Sequence, residues 1–100
     1  VRVWTGTLEC DLLLGDVHSL KAKRAVVRPL VAELRRRYAV AAAETGHLDL
    51  HRRAEVGVAV TAADAAHCVA VLDEVERFVA ARPETDLVAT RRRLHGPDDV

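Results

Sequence analysis

Three histidines and two carboxylates, His18, His47, His51, Glu44 and Asp49, are the side chains of this chain best suited to chemistry. Imidazole ligates zinc and exchanges a proton near neutral pH, and a carboxylate completes a ligand set or orients the ring. Their spacing argues against both uses. His47 and His51 are four residues apart, which places two rings on one face only in a helix, and here the spacing falls in a polar loop. No Ser or Cys in a nucleophile motif accompanies them, and nucleophilic catalysis needs an activated group beside a base. The expectation is a non-enzymatic protein with no catalytic residue, no bound metal and no cofactor. Glu44, Asp49 and Arg53 are assigned instead to bracing that loop through hydrogen bonds or an ion pair.

A second chemistry is the binding of anions. His18 and Ser19 precede a helical pattern, and Lys21, Lys23, Arg24, Arg28 and Arg35 follow within it. A helix start presents free N–H groups and the positive end of the dipole, to which nearby bases add charge. Lys21, Arg24, Arg28 and Arg35 are spaced i, i+3, i+7 and i+14, and at about 100° per residue they share one sector beside the apolar stripe. Such a sector suits phosphates. Ordinary capping by Ser19 and a solvated helix edge, its stems covering the core, explain the same residues.

These side chains need elements to place them. Val1 to Leu14 alternates apolar and polar residues, the period of a half-buried strand, with Trp4, Gly6, Leu8, Cys10, Leu12 and Leu14 on one face. Ser19 to Tyr38 repeats Leu20, Val27, Leu30, Val31, Leu34 and Tyr38 at helical spacing, with Pro29 expected to kink or restart the helix. Ala39 to Thr45 is a short strand of small residues, and Arg53 to Thr61 alternates again. Thr61 to Asp64 resembles a capping box before a helix striped by Cys68, Leu72, Val75 and Val79. Asp86 to Leu94 is the last strand. The order β-α-β-β-α-β is that of an α+β, ferredoxin-like split βαβ domain: a four-stranded antiparallel sheet of order 4-1-3-2 with both helices on one face. It occupies residues 1–94, with 95–100 a flexible tail. Its topology brings the first strand–helix turn beside the loop from Glu44 to Arg53.

Composition sets the outer limits. The chain has 100 residues, half of them hydrophobic, and only three aromatics, Trp4, Tyr38 and Phe78. One core built from small branched side chains is expected. No apolar run approaches the roughly 20 residues that span a bilayer, and no export signal is visible, so a cytoplasmic protein with no membrane contact is expected. Cys10 and Cys68 are read as buried free thiols. Formal charge is zero but unevenly placed. His18 to Tyr38 holds seven bases against Glu33 alone, while Ala39 to Thr90 holds nine acids against four bases. The outward positions Thr5, Thr7, Glu9, Asp11, Glu55, Gly57 and Ala59 offer nothing for bases to stack on. Gly57 and Ala59 permit close approach of another protein surface, so a homodimer is a rival to RNA as partner.

The runs Leu8 to Leu12, His18 to Val27, Ala43 to Thr45, Asp49 to Val60 and Asp64 to His67 resemble the YlxP-like family of bacterial proteins of unknown function. His-Ser-Leu-Lys-x-Lys-Arg at His18 to Arg24 is the most specific piece. The resemblance covers about Val3 to Leu94. It departs from the family pattern at Ala22, where Glu is expected, and at His47 and His51. It implies a ferredoxin-like fold, a cytoplasmic location and no established catalytic residue. Genes of this family often lie beside genes for translation initiation and ribosome maturation, which implies structured RNA or a ribosomal assembly intermediate as partner.

Overall fold

The computed structural model describes residues 2–98. Six elements follow in the expected order: β1 (Trp4–Leu14), α1 (Leu20–Tyr38), β2 (Ala41–Gly46), β3 (Arg53–Ala62), α2 (Ala65–Ala80) and β4 (Thr85–His95). The sheet is antiparallel throughout, in the order β2-β3-β1-β4, which is 4-1-3-2 taken from the opposite edge. The chain is therefore an α+β protein with a four-stranded antiparallel sheet and two helices.

Period-two alternation makes one sheet face apolar. Leu8, Cys10, Leu12 and Leu14 of β1 and Ala54, Val56, Val58 and Val60 of β3 are buried. They join Val27, Leu30, Val31 and Leu34 of α1 and the full α2 stripe, Cys68, Leu72, Val75 and Val79, in a single core. Both helices thus cover the same face. Of the apolar positions read from the sequence, Trp4 and Tyr38 sit at the rim, partly buried against the cluster, and Leu20 is exposed. Gly6 is where α2 comes closest to the sheet: a Cβ there would lie 2.9 Å from Leu72 Cδ1 and 3.4 Å from Cys68 Cβ. Cys10 and Cys68 are free and buried, and burial pushes the Cys10 thiol up to about 12, so it stays protonated and inert.

Several boundaries differ from expectation for local reasons. Val1, assigned from sequence to the first strand, lies outside the described residues, and β1 begins at Trp4. α1 runs continuously through Pro29, which is exposed, so the missing N–H bond falls on the solvent side of the helix. Thr61 does not cap α2. It belongs to β3, and Asp64 is the N-cap, its Oδ1 accepting from the His67 N–H at 2.7 Å. The expected tail from His95 is shorter: His95 closes β4, Gly96 packs beneath the Trp4 indole, and Asp98 pairs with Arg2 at 3.0 Å. Asp99 and Val100, the rest of that tail, lie outside the described residues.

Candidate functional site

The pairing of β1 with β3 carries the β2–β3 loop to the β1–α1 turn, as the topology demands. Leu13 lies opposite Arg53, and the Leu14 N–H donates to the Arg52 carbonyl at 2.8 Å. Thr85 pairs with Leu14, so β4 starts at this end too. His18, Asp49, Leu50, His51, Arg52 and Arg53 line a shallow cleft here, over Val17.

Two ion pairs hold the loop. The first is built on Lys23, whose side chain is 2% exposed. Its ammonium donates to the His47 carbonyl at 2.6 Å and faces the Glu44 carboxylate at 2.7 Å. His47 itself stands at a φ of 56°. The left-handed region is costly for a side chain larger than glycine; the Leu50 N–H closes that turn onto the His47 carbonyl at 3.0 Å, and Lys23 is the second donor to that carbonyl. The second pair joins Arg53 Nη2 to Asp11 Oδ2 at 2.6 Å, with His47 Nε2 3.8 Å from Asp11 Oδ1. Glu44 and Arg53, read from the sequence as bracing the loop with Asp49, pair instead with Lys23 and Asp11, and Asp49 is exposed. His18 turns away toward Asp16, 3.0 Å distant, and both are exposed. Among the described residues, no three His, Cys, Asp or Glu side chains converge as a metal-holding set.

The Arg53 hydrogen bond, reinforced by the charges of Arg53 and His47, holds the Asp11 carboxyl below its ordinary value. A carboxylate depressed in the folded state contributes stability above its unfolded pKa, and that contribution is lost as pH falls through the folded pKa. Urea unfolding of the parent and of Asp11→Asn should therefore show a stability gap from neutral pH down to the ordinary carboxylate range. The gap should close at lower pH. A gap that persists unchanged into strong acid would assign the Asp11 effect to packing instead.

Residues 5–92 match the family model described as "Protein of unknown function (DUF503)". The chain belongs to this family. It is also 29% identical, over 86 residues, to the uncharacterized protein YlxP of Bacillus subtilis (strain 168), an alignment covering 86% of this chain and 94% of that one. The resemblance read from the sequence is thus a family membership.

In this family member the seven candidate residues for anion binding, His18 and Ser19 before α1 and five within it, divide. Ser19 is the N-cap, its hydroxyl accepting from the Ala22 N–H at 3.0 Å. Lys23 is buried and belongs to the loop brace, so it is not part of an exposed basic surface. Arg35 reaches the free edge of β2 and donates twice to the Ala42 carbonyl, at 3.0 and 2.6 Å, covering an edge acceptor that would otherwise invite another strand. Lys21, Arg24 and Arg28 are exposed, and none of them has an acidic partner among the described residues. Sequence reasoning overlooked Arg91, Arg92 and Arg93. Strand alternation sends Arg92 to the helix side, where it clamps Asp73 and Glu76 of α2 at 2.8 and 3.0 Å, and sends Arg91 and Arg93 to the open face. The run of three arginines within a strand pattern was the available signal.

Proposed function

We propose that the protein is a non-enzymatic, ferredoxin-like binding module that holds structured RNA, in a ribosomal assembly intermediate, through α1. The observation that carries this reading is the exposed row Lys21, Arg24 and Arg28 with no acidic neighbour to neutralise it. Lys21 and Arg28 are two turns apart, about 10.5 Å along the helix, and small residues, Ala25 and Ala32, share their face. A phosphate backbone can approach such a face closely, and each phosphate neutralised releases counterions. The ribosomal context rests on what the family resemblance implies. The open sheet face is a poor RNA platform, since its two central strands present Thr5, Thr7, Glu9, Asp11, Glu55 and no aromatic ring.

Binding to ribosomal subunits, and to a structured ribosomal RNA fragment, across a salt titration tests the proposal. Replacing Lys21, Arg24 and Arg28 together with alanine should weaken binding and lower the salt slope by roughly 2–3, at about 0.7–0.9 for each phosphate no longer neutralised. The exposed Arg77→Ala on α2 should leave both unchanged. Equal affinity and slope in the triple variant would remove α1 as the RNA surface.

A further inference from the structure

The open face of the sheet is graded in side-chain size from one edge to the other. Two complete rows cross it at right angles to the strands. One reads Ala41, Ala59, Thr7, Arg93 from β2 through β3 and β1 to β4, and the next reads Ala43, Gly57, Glu9, Arg91. Each row carries small residues on β2 and β3 and larger ones on β1 and β4. The result is a shallow groove over β2 and β3, floored by Ala41, Ala43 and Ala59, with the Thr45 side chain over Gly57 at one end and Arg93 and His95 on the β4 side. Groove and ridge lie on the two halves of one face.

We infer that this face binds a second copy of the chain through a two-fold axis parallel to the strands, running between β3 and β1. That operation lays each row on its own reverse. Arg93 falls over the other copy's Ala41, Thr7 over its Ala59, Glu9 over its Gly57 and Arg91 over its Ala43. In these two rows each larger side chain meets a small one, which is the self-complementarity that an isologous interface requires. The axis also leaves the strands of the two sheets nearly aligned, the common geometry of packed sheets.

Charge and area agree with this occupant. The face carries Glu9, Asp11 and Glu55 against Arg53, Arg91 and Arg93, so its net charge is close to zero, and Arg91 already lies 3.8 Å from Glu9 within the chain. The row Glu55, Asp11, Ala89 sets the carboxylate of Glu55 over that of Asp11, but Arg53 already holds Asp11 at 2.6 Å and Thr45 donates to Glu55 at 2.7 Å. Strands of 11, 6, 10 and 11 residues, about 4.8 Å apart, present roughly 600 Å² in flat projection. The accessible area of such a pleated face is larger and comes near the ~800 Å² per partner of a standard interface. The helices lie on the other face, so the pair leaves both copies of α1 exposed, and the inference stands independently of the RNA reading.

Sedimentation equilibrium from low micromolar to several hundred micromolar protein reads the association directly. The parent should show a monomer–dimer equilibrium. Ala41→Arg, on an exposed edge strand where it cannot disturb the core, should weaken the dimer roughly a hundredfold by setting two like charges together. Adding Arg93→Glu to Ala41→Arg should restore it. Residues 41 and 93 of one copy are three strands apart, so that rescue can only act between copies. The triple α1 variant should dimerise as the parent does. A parent that stays monomeric throughout, or a dimer indifferent to Ala41→Arg, would overturn the inference. A failure of Arg93→Glu to rescue would overturn the two-fold pairing of the rows.

Discussion

Replacing Lys23 with alanine should destabilise the protein by about 3 kcal/mol, the low end of what breaking a buried ion pair costs. Lys23 is among the largest fully buried side chains of the core. Its removal strips the Glu44 carboxylate of its counter-charge, takes one of two donors from the His47 carbonyl and leaves a cavity where the stem packed. The low end is expected because the Glu44 side chain remains 22% exposed and can turn to water. Lys23→Met separates the causes, since it keeps the stem volume and removes only the charge. Lys23→Met with Glu44→Leu should recover most of the loss, because a buried pair replaced by apolar groups of similar volume is often neutral. Urea midpoints read the stability. Hydrogen exchange across Gly46 to Arg52 should accelerate more than exchange in β1, since the turn at His47 loses its tether to Lys23. A Lys23→Ala loss within the ~0.5 kcal/mol of ordinary surface substitutions would show that the brace is not a stabilising element.

Gly6→Val should destabilise the packing of α2 on β1. The added Cβ alone would lie 2.9 Å from Leu72 Cδ1 and 3.4 Å from Cys68 Cβ, and both neighbours are buried. Overpacking of this kind costs about 1–3 kcal/mol, and here it also pushes α2 off the sheet centre. Leu72→Ala alone should cost about 2–5 kcal/mol through its cavity. Combined, the two should cost clearly less than their sum, because the valine fills the space the leucine vacates. That coupling is the diagnostic quantity. Strict additivity would mean that α2 does not rest on Gly6.

The fold was largely legible because its signals are local. Alternation along β1 and β3, the helical stripe of α2 and the order of elements required no knowledge of distant residues. Boundaries shifted where one polar group chose between neighbours. Asp64, not Thr61, took the orphan N–H groups of α2, and β3 kept Thr61 in its ladder. The end of β4 was misjudged because Gly96 and Asp98 suggested fraying, while the partners that hold them, Trp4 and Arg2, lie at the other end of the chain.

The site was legible only in part, and Lys23 marks the limit. By itself the sequence determined a basic first helix and a polar loop brought to its start. It even held the sign that Lys23 differs from its neighbours: Lys23 lies four residues before Val27 and seven before Leu30, within the apolar stripe, whereas Lys21 and Arg24 lie outside it. What it could not supply was the partner. A lysine on a core-facing stripe can snorkel to water or be buried against a carboxylate, and only the folded chain places Glu44 and the His47 carbonyl over it. The same holds for Arg53, whose acid is Asp11, not the nearby Asp49. Strand register sets Asp11 opposite Glu55 and diagonal to Arg53, and register is decided by which faces bury against the helices. Local periodicity therefore specified which residues are charged, apolar or turning. Long-range pairing alone decided which charges are spent inside the protein and which remain for a partner.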